Sequence, residues 1–106
     1  MRQITPTQLR DYLALANPKP ALIDVREPWE YDICAIENSI HVPMGLIPQQ
    51  LANMDAQAET VVICHHGVRS QHVAMFLERA GFQNIVNLAG GIEAWALDVA
   101  PNMARY

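Results

Sequence analysis

Thr60-Val61-Val62-Ile63-Cys64-His65-His66-Gly67-Val68-Arg69-Ser70 decides how this chain is read. Thr60 to Ile63 is a run of β-branched residues, the composition of a short buried strand, and it delivers a cysteine to the strand's carboxyl end. A loop with one glycine follows, then Arg69, then Ser70, a residue type able to cap the next helix. Val73, Ala74, Phe76, Leu77 and Ala80 repeat at helical spacing, and Gly81 stands where a helix ends on a positive φ. The unit reads as strand, loop, helix, with the Cys64 thiol at the turn.

That placement has an electrostatic consequence. The backbone N–H groups of a tight loop and of a helix's first turn have no intrahelical partner and point at whatever lies before them. With the helix dipole and the Arg69 charge they form a pocket for an anion, so the setting favours a thiolate and any anionic group carried on its sulfur. A structural cysteine closing a core strand is the plainer alternative, and it leaves Gly67, Arg69 and Ser70 unexplained.

Working outward, Asn84 to Leu88 reads as the next strand, Gly90-Gly91 breaks it, and Ile92, Ala94, Trp95 and Leu97 mark a last short helix. The tail from Asp98 to Tyr106 is polar and is expected to wrap over the surface. Upstream, Ile47 to Met54 reads as a brief amphipathic helix, Ser39 to Pro43 as a short strand, and Arg26 to Tyr31 as a turn into a helix near Pro28. Ala21 to Val25 is another apolar strand. Thr5-Pro6-Thr7-Gln8 carries the signals of a helix start, with Leu9, Tyr12, Leu13 and Ala16 on its apolar face. Strands alternating with helices imply an α/β domain with a largely parallel sheet, and residues 1–106 read as one domain. In such sheets ligands bind beyond the carboxyl ends of the strands, where Cys64, Asp24-Val25-Arg26 and Leu88 to Gly91 can converge.

Composition narrows the function classes. The chain has 106 residues, 51% of them hydrophobic and 17% charged, enough for a core without staples. A net charge of −4 with seven scattered Lys and Arg residues gives no basic stripe, which argues against nucleic acid or an anionic membrane as partner. No apolar run has the length of a membrane span or the form of a signal peptide. Two cysteines, Cys34 and Cys64, are too few for a disulfide scaffold, so a reducing, cytoplasmic setting is expected. A monomer is the default at this size.

Four motifs in order over nearly the whole chain carry a family resemblance. Leu22-Ile23-Asp24-Val25-Arg26-Glu27, Glu30-Tyr31 through Ile36 to Val42-Pro43, Cys64 to Ser70, and Leu88-Ala89-Gly90-Gly91-Ile92-Glu93-Ala94-Trp95 together resemble a single-domain rhodanese, a thiosulfate sulfurtransferase-like protein. The resemblance implies a rhodanese-like fold of about five mainly parallel strands with helices on both faces. It implies Cys64 as the sulfur carrier: its thiolate takes the outer sulfur of a donor such as thiosulfate, and a thiol or cyanide removes it from the persulfide. A protein persulfide donor fits as well, and no cofactor is implied. Substrate contacts fall to His65, His66, Gly67, Val68, Arg69 and Ser70, with Asp24 and Arg26 supporting the rim. The second motif departs from the family, with Cys34-Ala35, Asn38 and His41 in places that usually hold Gly-His, glycine and asparagine. His65 and His66 replace the residues often found after the cysteine.

Each residue also has a plainer role. Arg69 either contacts an anionic donor or bridges to a carboxylate. His65 and His66 either assist an anion when protonated or are simply solvated. A metal on Cys64, His65 and His66 is disfavoured, because adjacent residues chelate one ion poorly. Cys34 is a candidate resolving thiol that nothing in the sequence brings to Cys64. Asp24 and Arg26 suit a structural ion pair, Trp29 and Trp95 suit packing, and the methionines are fillers. Two other functions remain in play. A cysteine phosphatase uses a Cys-x5-Arg loop, one residue longer than the loop here, and a binding module would make no use of the thiol.

Overall fold

The computed structural model describes all 106 residues. In chain order the elements are β1 (Arg2–Ile4), α1 (Pro6–Leu15), β2 (Ala21–Asp24), α2 (Pro28–Ile33), β3 (Ile40–His41), α3 (Ile47–Gln50), β4 (Thr60–Ile63), α4 (Val68–Arg79), β5 (Ile85–Leu88) and α5 (Gly91–Asp98). The five strands form one sheet in the order β1-β5-β4-β2-β3, every pairing parallel.

The two-residue period of the strands sorts their side chains between two cores. Val62 and Cys64 from the β4 segment, Ile23 and Val25 from the β2 segment, and Ile85 of β5 pack with Val73, Ala74 and Leu77 of α4 and Ile47 of α3. Val61, Ile63, Leu22, Val86 and Leu88 face the other way, against Leu9 of α1 and Ile92 and Trp95 of α5. Helices therefore cover both faces, which is why the central strands are apolar on both sides. All four residues of β4 are buried. The Cys64 side chain belongs to the α4 face.

The start of α1 is as the sequence indicates: Thr5 Oγ1 accepts from Gln8 N, Gln8 Oε1 accepts from Thr5 N, and Pro6 opens the helix. Gly81 follows α4 with a φ of +99°. Several expectations are corrected. β1 is an additional strand; it is three residues long at the sheet edge and too short to show a period. Ile47 to Met54 is not one helix, because a single α-turn is flanked by 3-10 turns at Met44–Leu46 and Leu51–Asn53. Ser70 does not cap α4. Gly67, at a φ of +97°, makes the turn three residues earlier and leaves Ser70 inside the first helical turn. Phe76, Tyr12 and Leu97 lie on the exposed margins of their helices, since the sheet covers a narrower stripe than the apolar pattern suggests. Trp29 is 60% exposed, at the start of α2 with an edge-on contact to Tyr106, whereas Trp95 is core.

Candidate functional site

The site is built at the carboxyl end of β4. Cys64 is 1% exposed and directly follows the last residue of the strand, and residues 65–67 form the loop that leads into α4. The Gly67 backbone N–H donates to Cys64 Sγ at 3.0 Å, and the thiol donates to Ser70 Oγ at 3.3 Å. Across the loop and the first turn of α4, His66 and Val68 are exposed; Gly67 and Ser70 are buried, and His65 and Arg69 are half-buried.

The loop is held from outside by the start of α5. Ile92 N donates to the Cys64 carbonyl at 2.8 Å and Glu93 N to the His65 carbonyl at 3.1 Å. Two loop carbonyls are thereby fixed to the α5 amides. The contact requires a glycine at position 91, where a Cβ would stand 2.4 Å from both carbonyl oxygens. The Gly90-Gly91 pair thus does more than end a strand: it brings α5 against the cysteine loop. Gly67 meets the same segment, with Gly90 N 3.1 Å from the place a Cβ would take.

The Arg69 guanidinium makes no hydrogen bond to Cys64 Sγ, although its charge lies within coulombic reach of Cys64. The guanidinium makes a two-pronged ion pair with Glu30 of α2, Nη1 to Oε1 at 2.6 Å and Nη2 to Oε2 at 2.8 Å. Of the two roles open to Arg69, the structure displays the carboxylate bridge. Glu30 is 3% exposed, and the Arg69 hydrogen bonds, opposed by burial, hold its carboxyl down at about 2. Tyr106 completes this side: its hydroxyl donates to Glu30 Oε2 at 2.8 Å and accepts from Arg26 Nη1 at 2.9 Å. Burial, with Glu30 adding to it and Arg26 opposing, raises the Tyr106 phenol to about 12. The Tyr106 ring stacks on His65 at 4.0 Å, and His65 stacks in turn on His66 at 4.0 Å. Burial first, and the neighbouring His66 second, push the His65 imidazole below its usual range, while Glu93 opposes.

Asp24 and Arg26 lie under the rim, both with no exposure. Asp24 Oδ1 accepts from the Arg26 backbone N–H and Nε, and Oδ2 accepts from Nη2 at 2.8 Å. The remaining guanidinium donors reach the Glu30 carbonyl, the Cys34 carbonyl and Tyr106, so the buried charge is fully partnered. Arg26 also lies 3.8 Å from Cys34 Sγ, which places Cys34 in the arginine network under the tail.

Three residues of the site were not singled out in the sequence. Glu30 stood within the second motif as a helix residue, Tyr106 within a polar tail, and Asn87 within an apolar strand. Only Asn87 carried a signal: it is the polar residue of Ile85-Val86-Asn87-Leu88, and it is 1% exposed.

Comparison with known proteins gives the family and the fold. The family model described as Rhodanese-like domain matches residues 5–98. The chain is 42% identical over 105 residues to the Mycobacterium tuberculosis protein named Probable adenylyltransferase/sulfurtransferase MoeZ, covering 97% of this chain and 26% of that one. It therefore spans about a quarter of the length of that relative. It is 33% identical to the Thiosulfate sulfurtransferase GlpE of Pseudomonas entomophila, covering 89% of this chain and 84% of that one. Among solved structures, the rhodanese-related protein of Thermoplasma volcanium superposes with a TM-score of 0.84 at 32% identity, covering 95% of this chain and 96% of that one.

Proposed function

The chain belongs to the rhodanese-like family, whose related members include named sulfurtransferases, and on that premise we propose that it moves a sulfane sulfur through a persulfide on Cys64. The carrying observation is the Gly67 N–H at 3.0 Å from Cys64 Sγ, a fixed donor at the atom where the charge resides. The Cys64 thiolate attacks the outer sulfur of thiosulfate, the S–S bond of the donor breaks, and sulfite leaves with the bonding electrons. Cys64 then carries a terminal anionic sulfur. A thiolate acceptor attacks that sulfur and departs as its own persulfide, or cyanide departs as thiocyanate, and the Cys64 thiolate returns. A protein persulfide donor would load the same sulfur. The exposed His66, the half-buried His65 and the exposed Val68 at the start of α4 are the residues a donor would meet. This reading treats residues 1–106 as one domain, monomeric, acting in the reducing cytoplasm that keeps its thiols free.

Phosphoryl transfer is less well supported. Four residues, His65 to Val68, separate Cys64 from Arg69, and the arginine that would clamp a phosphate is already bound to Glu30. A binding module gains nothing from a cysteine with a fixed N–H donor. The deciding experiment is intact-mass spectrometry of reduced protein after thiosulfate and desalting, with Cys64→Ser beside it. A cyanide-reversible gain of one sulfur atom in the wild type alone is expected. No gain from thiosulfate or from any protein persulfide would overturn sulfur transfer and favour the binding module.

A further inference from the structure

Asn87 is a buried polar side chain in the middle of the fold, and sulfur transfer as described above makes no use of it. The β5 alternation that turns Ile85 toward α4 turns Asn87 the same way, beneath the cysteine loop. Its Nδ2 donates to the Gly67 carbonyl at 3.2 Å and to Gln3 Oε1 at 3.0 Å. With the amide nitrogen placed on the Gly67 carbonyl, Oδ1 faces Ser70 and accepts its hydroxyl proton at 2.5 Å. Asn87 therefore holds the Gly67 backbone and the Ser70 side chain, and those two groups are the hydrogen-bond partners of Cys64 Sγ.

The proton count gives this arrangement a consequence. A serine hydroxyl has one proton. Here the chain of donation runs from the Cys64 thiol to Ser70 Oγ and from Ser70 Oγ to Asn87 Oδ1, so Ser70 turns a lone pair toward the sulfur. That suits a protonated sulfur. An anionic sulfur, thiolate or persulfide, wants the Ser70 proton itself. Supplying it requires the hydroxyl to rotate and leaves Asn87 Oδ1 without that donor in a site closed to water.

We infer that Asn87 is a positioning residue for Cys64: it competes with the sulfur for the Ser70 proton and thereby sets how readily Cys64 takes up negative charge. It acts through Ser70, not by touching the sulfur. This rests on Cys64 being the reactive atom but not on the identity of any sulfur donor.

The test is the rate of Cys64 alkylation by iodoacetamide at a fixed pH near neutrality, followed by intact mass in a Cys34→Ser background. Wild type, Asn87→Leu, Ser70→Ala and the double variant form a cycle. Asn87→Leu frees the Ser70 proton for the sulfur and is expected to alkylate about tenfold faster, the size of one hydrogen bond gained by a buried anion. In the Ser70→Ala background the same substitution is expected to bring no acceleration, since it then removes only the hold on the Gly67 carbonyl. A slower or unchanged rate in Asn87→Leu overturns the inference, as does an acceleration that survives without Ser70. Asn87→Val, smaller and suited to a strand, repeats the comparison should the leucine variant fail to fold. Since alkylation reads Cys64 directly, failure here leaves sulfur loading untouched, and failure to load sulfur leaves this result readable.

Discussion

Arg69 and Glu30 face each other across the gap between α4 and α2, two guanidinium nitrogens on two carboxylate oxygens at 2.6 and 2.8 Å. The loop's own cation is therefore engaged within the fold. Hydrogen bonding at the sulfur is left to the backbone of Gly67 and the hydroxyl of Ser70, neutral dipoles held by neighbouring residues. Of the two, only the Gly67 N–H is already turned to donate to the sulfur.

The pair makes Arg69→Ala the more destabilising of the two truncations, because it strands the buried Glu30 carboxylate, with an expected loss of about 3 kcal/mol in urea unfolding. Glu30→Gln leaves the half-buried Arg69 guanidinium able to reach water and should cost about 1 kcal/mol. The double variant should lose less than the two single losses together, because the same interaction is removed only once. If the effects simply add, the two residues are not acting as a unit.

Acid should act on the same group. The Arg69 hydrogen bonds, first among the causes, hold the Glu30 carboxyl down at about 2 in the fold, against 4.5 for a free glutamate. A lowered carboxylate pKa means that the stability from this group is complete above about 4.5 and is lost as pH falls toward 2. Its contribution is about 3 kcal/mol at most. Urea midpoints measured from pH 6 downward should show this acid limb in wild type. In Glu30→Gln that part of the slope should disappear; an unchanged slope would assign it to other carboxylates.

How much of this was legible beforehand depended on whether the determining contact was local. The Thr60–Ile63 strand, the Thr5 capping box and the positive φ at Gly81 follow from a few neighbouring residues, and all are present. The turn at Gly67 was also readable, but its outcome, a helix begun before Ser70, depends on Gly90 and Gly91 closing against it. The Glu30–Arg69 pair, Tyr106 over Glu30 and Asn87 under Ser70 join positions 39, 76 and 17 residues apart. No periodicity encodes such partners. Asp24 and Arg26 could be paired from their spacing, whereas their complete burial follows from Cys34 and Tyr106 folding over them.

Gly91 and Gly81 offer a controlled comparison of crowding with strain. Both have positive φ, but a Cβ at Gly81 meets nothing within 4 Å, while one at Gly91 stands 2.4 Å from the Cys64 and His65 carbonyl oxygens. Gly81→Ala should cost only the backbone term, about 1–2 kcal/mol. Gly91→Ala should cost that and also push α5 from the loop, with sulfur loading of Cys64 lost in any protein that folds. Equal loading by the two variants would mean that the α5 contact does not position the cysteine.

His65 bears on whether the site uses a positive charge at all. Burial and the adjacent His66 lower its pKa, and its ring lies flat between His66 and Tyr106. A histidine whose pKa is lowered by folding is neutral in the fold where the unfolded chain is still protonated. Stability from His65 is thus complete above the unfolded value and falls as pH drops through about 6.5, a window separate from that of Glu30. At neutral pH the imidazole serves as a flat, uncharged wall. His65→Phe preserves the stack and should leave the KM for thiosulfate within about twofold of wild type at neutral pH, since no cation is removed. It should also abolish the stability change around pH 6.5 while sparing the acid limb. A large rise in KM would instead make His65 a charged contact for the donor, and the stacked tyrosine would then be a device for orienting it.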